Sequence, residues 1–139
     1  MAVQPLVFSY DQSGMQPIGL VPLVQDAFAL KPELRGGSLV ISVSGNGDMS
    51  AVEGLSLYLR QIHTVITDLS MTQVEFDFRD LYFLNSSCLK SFVTWIRSMV
   101  EGKSTSINIR FITNPKLYWQ RRSLEALQRL APGVVRVES

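Results

Sequence analysis

Residues Val74 to Val100 read VEFDFRDLYFLNSSCLKSFVTWIRSMV and change periodicity midway. Val74, Phe76 and Phe78 alternate with Glu75 and Asp77, the period-two signature of a strand with one covered face. From Leu89 the period lengthens. Leu89, Phe92, Val93, Ile96, Met99 and Val100 form a stripe at helical spacing, and Gly102 stops it. Between strand and helix lies Asn85-Ser86-Ser87. Asparagine is a good N-cap, because its side-chain oxygen accepts a hydrogen bond from an amide two or three residues on. With Asn85 as cap, Ser86 takes the first helical position and Ser87 the second. A phosphate on either hydroxyl would meet free helical amides and the positive end of the helix dipole. It would add roughly two negative charges at the surface without breaking the helix.

Working outward, the same alternation recurs in Leu39, Ile41 and Val43 and in Ile107, Ile109 and Phe111. At least two of these strands carry charge on their second face, whereas a sheet sandwiched between helices would be apolar on both. The expectation is an α/β fold with a mixed sheet of about five strands and helices mainly on one face. Leu6 to Tyr10 and Val134 to Val137 are further strand candidates. A helix is expected on the stripe Val52, Leu55, Leu59, Ile62 and Ile66. Another should start at Asn114-Pro115, carry Leu124, Leu127 and Ala131, and stop at Pro132-Gly133. Residues 15–37, with Pro17, Pro22, Pro32 and the pair Gly36-Gly37, read as an irregular insert holding a short helix at Leu23 to Leu30. Strands and helices alternate in the later part, which predicts right-handed crossovers and parallel pairing there, with an antiparallel first pair.

The 139 residues fit a single domain spanning 1–139, and the 46% apolar fraction supplies a core. A net charge of +1 argues against a whole-surface grip on nucleic acid. The distribution is uneven: residues 97–139 carry eight basic and three acidic side chains. That reads as a dipolar surface, or as a basic patch for an acidic partner or a phosphate. One cysteine excludes an intramolecular disulfide, and one histidine excludes two-histidine metal motifs. No basic segment precedes an apolar run at the N-terminus, and no run approaches membrane-spanning length. The expectation is a cytoplasmic protein without direct membrane insertion.

Chemistry-bearing residues are sparse. His63 lies beside the apolar stripe of its helix and reads as a boundary side chain. Cys88, in the first turn of the second helix, is either a thiolate favoured by the helix end or a small packed residue; no histidine stands near it in sequence. Gly45-Asn46-Gly47-Asp48-Met49-Ser50 lacks the third glycine of a dinucleotide fingerprint and the lysine of a phosphate-binding loop. Its glycines turn the chain, and Asp48 or Ser50 caps the helix. Trp95, off the main stripe, either fills a core edge or marks a protein interface. No cofactor is expected.

Phe83-Leu84-Asn85-Ser86-Ser87-Cys88-Leu89 resembles the STAS domain of anti-sigma factor antagonists, in which Asp-Ser-Ser-Gly-Leu opens a long helix after an apolar pair. Leu39 to Asp48 resembles that family's second strand and Gly-x-x-Asp turn. Ile107 to Pro115 and the ending LEALQRLAPGVVRV resemble its last strands and helix. The resemblance covers about residues 38–138. Asn85 replaces the motif aspartate, keeping the cap and losing the charge, and Cys88 replaces the glycine.

The resemblance implies a non-enzymatic regulatory module that binds a GHKL-type serine kinase acting as anti-sigma factor. The serine that matches the family's phosphorylation site is Ser86, with Ser87 as fallback. Partner contacts are expected at Asp48, Asn85, Ser86, Ser87 and Cys88. The alternative is an unphosphorylated STAS-fold scaffold or subunit of a larger complex. One form of it resembles the small STAS subunit of lipid-transport ABC systems, which also has tryptophan ten residues after the motif acid, as Trp95 follows Asn85. An enzyme is the weakest reading.

Overall fold

The computed structural model describes residues 19–102 and 107–139. Six strands and three helices follow one another as β1 (Leu23–Gln25), β2 (Phe28–Arg35), β3 (Ser38–Gly47), α1 (Val52–Asp68), β4 (Gln73–Leu84), α2 (Ser86–Glu101), β5 (Asn108–Ile112), α3 (Tyr118–Leu130) and β6 (Val135–Glu138), with a 3-10 turn at Met49–Ala51 before α1. The strands form one sheet in sequence order. β1, β2 and β3 pair antiparallel, and β3 to β6 pair parallel. The mixed α/β architecture is the expected one, with six described strands for the expected five or so.

One face of the sheet is apolar and buried: Leu39, Ile41, Val43, Val74, Phe76, Phe78, Ile109 and Phe111 meet the buried stripes of the helices. Phe76 stacks on Phe111 at 5.3 Å and stands edge-on to Phe92 at 5.3 Å and Trp95 at 5.4 Å. The other face carries polar side chains. There Arg110 bridges Glu75 (3.3 Å) and Glu138 (3.0 Å) across three strands. Of the basic residues of the C-terminal third, Arg110 and Arg136 pair side by side on β5 and β6, and Arg121, Arg122 and Arg129 are exposed on α3.

Several sequence expectations need correction. Residues 23–35 are not an irregular insert with a helix: they form the hairpin β1–β2. Eight residues of mixed apolar character do not separate helix from strand by periodicity. Gly36 and Gly37 are a hairpin turn joining β2 to β3, both at positive φ (56° and 88°), as a two-residue turn matched to strand twist requires. Pro32 is tolerated in β2 because β1 reaches only Leu30, so its missing N–H faces no partner strand. Gly45 and Gly47 lie inside β3 rather than in a loop. Gly45, at φ 91°, lies so close to the turn between β1 and β2 that a Cβ would overlap the Ala27 carbonyl.

The third helix begins at Tyr118, not at Pro115. Asn114 closes a separate turn, its side-chain oxygen accepting from Lys116 N at 3.0 Å and its carbonyl from Leu117 N at 2.9 Å. On α2 the buried positions are Cys88, Phe92, Trp95 and Ile96, while Val100 is exposed. The stripe is therefore rotated toward Trp95, which belongs to the core. The expected strand at Leu6 to Tyr10 lies outside the described residues. Among those residues no helix is long and apolar enough to cross a membrane.

Candidate functional site at the β4–α2 turn

The C-terminal ends of β3 and β4 lie side by side, with Gly47 opposite Leu84. Asn85 N donates to the Gly47 carbonyl at 2.8 Å, tying the two following turns together. Gly47 is closely packed: a Cβ would stand 2.8 Å from Leu84 Cδ1 and 3.2 Å from the Phe28 ring, so the Leu84 side chain would have to shift to admit one. Asp48 then caps the 3-10 turn, its carboxylate accepting from Ser50 N (2.9 Å) and Ser50 Oγ (2.6 Å). The Ser50 hydroxyl bond, followed by the amide bond, holds this exposed carboxyl below the usual range.

Asn85 is the N-cap of α2. Its backbone is extended (φ −75°, ψ 169°), and its side-chain oxygen accepts from Cys88 N at 2.8 Å. The helix cap is therefore supplied without a carboxylate. Ser86 is exposed at the first helical position. Ser87, next to it, is half-buried, and its carbonyl accepts from Ser91 Oγ at 3.3 Å. The Cys88 sulfur is buried, 3.5 Å from the Asp48 carbonyl. Burial, and then the charge of Asp48, pushes its thiol up to about 11, so it stays protonated at neutral pH and serves as a packed small residue rather than a thiolate. The structure thus brings Asp48, Asn85, Ser86, Ser87 and Cys88 together. His63 lies elsewhere, half-buried on α1.

What holds this turn in place could not be read from the local sequence. β5 pairs with β4 only as far as Asp77, so the carbonyls beyond it lack a strand partner on that side. Side chains of Asn114, ahead of α3, and of Trp119 and Gln120, in its first turn, take over. Gln120, fully buried, donates through Nε2 to the carbonyls of Phe78 (2.6 Å) and Leu81 (2.8 Å) and accepts from Asn114 N (2.8 Å). Asn114 Nδ2 donates to the Arg79 carbonyl at 3.0 Å, and Trp119 Nε1 to that of Tyr82 at 2.9 Å. The one sequence signal for Gln120 is its spacing: it stands four residues before Leu124, on the buried stripe of α3.

β4 also slips twice against β3, once between the Asp77 and Asp80 pairings and once between Leu81 and Phe83. Each slip resets the side-chain alternation. Tyr82 and Phe83 are consequently both exposed. Met49 (66% exposed) follows the end of the adjacent strand, and Tyr118 (86% exposed) precedes the tryptophan bonded to Tyr82. Four large apolar or aromatic side chains therefore rim the sheet end that carries Ser86.

No protein-family model matches the chain, and no curated protein matches it in sequence. The architecture does have counterparts among solved structures. An anti-sigma factor antagonist from Mycobacterium paratuberculosis superposes with a TM-score of 0.60 at 23% identity, over 81% of this chain and 88% of that one. The chain has the STAS fold. The anti-sigma factor antagonist SpoIIAA in its unphosphorylated form matches with a TM-score of 0.53 at 21% identity, over 79% of this chain and 87% of that one. The Bacillus cell fate determinant SpoIIAA in the phosphorylated form matches with a TM-score of 0.51, also at 21% identity, over 81% and 91%. At this identity the likeness concerns the fold.

Proposed function

We propose that the chain is a non-enzymatic regulatory binding module whose protein partner docks over the β4–α2 turn and is controlled by phosphorylation of Ser86, with Ser87 as the second choice. The partner is a GHKL-type serine kinase acting as an anti-sigma factor. The observation that carries the reading is Ser86 itself: an exposed hydroxyl at the first position of a 16-residue helix whose cap is already supplied by Asn85. A phosphate there gains from the helix end and displaces no structural hydrogen bond, so the fold tolerates both states. Two further features support a protein partner. Exposed Met49, Tyr82, Phe83 and Tyr118 surround the turn, and exposed aromatic side chains of this kind are enriched at interfaces. The fold is also shared with anti-sigma factor antagonists whose structures include an unphosphorylated and a phosphorylated form.

The test is a titration of Ser86→Asp and Ser86→Ala against the partner pulled down from the native host, with phosphosite mapping of the native protein. Ser86→Asp should weaken binding through charge and desolvation while thermal stability stays nearly unchanged, and Ser86→Ala should bind constitutively. Parent-like binding by Ser86→Asp, together with no phosphate on residue 86 or 87, would replace the switch with an unphosphorylated scaffold.

A further inference from the structure

α1 and α2 cross where Ser56 Oγ meets Ser91 Oγ at 2.8 Å, and the outer side of this crossing is a groove of about 540 Å³. That lies within the roughly 300–1,000 Å³ typical of small-molecule sites. Its walls combine apolar surface from Val52, Leu59 and Trp95 with three basic side chains, Arg60 and His63 on α1 and Lys90 on α2. No carboxylate lines it. Arg60 and Lys90, like several other exposed cations among the described residues, are in no ion pair and so keep their charge open to the groove.

The groove wall holds a second anomaly. Trp95 is 4% exposed, and its indole N–H is buried with no acceptor. An unmet buried donor is destabilising, and few are left so in native proteins. The other tryptophan, Trp119, has its N–H satisfied by the Tyr82 carbonyl.

The geometry points to a binding site for a small organic anion, with an apolar body against Leu59 and Trp95 and a phosphate or carboxylate head between Arg60 and Lys90. Two cations lining a groove without a carboxylate favour a negative head, and the apolar walls favour the body. A ligand acceptor that reaches the Trp95 N–H satisfies a donor the protein leaves open. Ser86 does not line the groove, whereas Ser87, the second-choice phosphorylation position, does.

Phenyl phosphate is a suitable probe, titrated into the full chain and followed by the two indole N–H cross-peaks in a proton–nitrogen correlation spectrum. The Trp95 peak should shift saturably while the Trp119 peak stays fixed. The double variant Arg60→Gln, Lys90→Gln, both at exposed positions, should weaken binding at least about tenfold with an unchanged melting temperature. Phenol and inorganic phosphate should each bind at least about tenfold more weakly than phenyl phosphate, since each offers half of the recognition. The site is overturned by no saturable shift of the Trp95 peak up to ~10 mM probe, a Kd at which specific recognition is negligible. Equal shifts of both indoles, an unchanged affinity in the double variant, or inorganic phosphate binding as tightly as phenyl phosphate would overturn it too.

Discussion

The first half of β4, Gln73 to Phe78, runs between β3 and β5 and is hydrogen-bonded to strands on both sides as far as Asp77. The second half, Arg79 to Leu84, has β3 on one side and, in place of a strand, the side chains of Asn114, Trp119 and Gln120 on the other. The first half keeps strict alternation and supplies Phe76 and Phe78 to the core. The second half slips against its neighbour twice and turns Tyr82 and Phe83 outward. One strand thus serves two purposes. Regular pairing builds the part that stores stability, while irregular pairing, bought back by side-chain hydrogen bonds, aims the part that presents Ser86.

The largest effect should come from the regular half. Phe92 packs edge-on against both Phe76 (5.3 Å) and Phe78 (5.6 Å) and is fully buried. Phe92→Ala should cost about 3–5 kcal/mol, read from the denaturant midpoint. A midpoint close to the parent's would mean that this cluster is not the stabilising centre.

Gln120→Leu, which keeps the volume and removes the bonds, acts on the irregular half. It strands the carbonyls of Phe78 and Leu81 and the amide of Asn114, and should cost about 2–3 kcal/mol. Its signature is local: amide hydrogen exchange should quicken at residues 80–84 well before residues 74–77. Uniform quickening along β4 would erase the distinction between the halves.

The smallest effect is electrostatic and lies at the join. The Asp77 carboxylate accepts from Arg79 N (3.0 Å), Nε (3.0 Å) and Nη2 (2.7 Å), clamping the first slip. The side-chain bond from Arg79 is the largest cause holding the Asp77 carboxyl below its usual range. A carboxyl lowered in the folded state adds stability above its unfolded pKa of about 3.9, and that contribution is lost as pH falls through the lower folded value. Asp77→Asn should therefore melt slightly below the parent at pH 7, with the gap closing below about pH 4. A gap constant from pH 7 to 3 would show that the pair contributes nothing through charge.

The layered α/β plan, the apolar face shared by β3, β4 and β5, the three helices, and the Asn85 cap with Ser86 at the start of α2 are legible in the residues alone. Each of these rests on periodicity or on capping between residues a few positions apart, so local order carries the information. The hairpin β1–β2 was less legible, because its strands are short and Gly36-Gly37 can be read as breaker or as turn until a partner strand is known. Trp95 was ambiguous for a related reason: a flank position on a helix becomes core or interface according to what packs beside it, here Phe76. The hold on the β4–α2 turn was decided by tertiary structure alone. Whether a strand's carbonyls need side-chain donors depends on where the neighbouring strand stops, and β5 stops after five residues. Gln120 lies 39 residues beyond Leu81 in the chain, and only folding brings the amide to the carbonyls it satisfies.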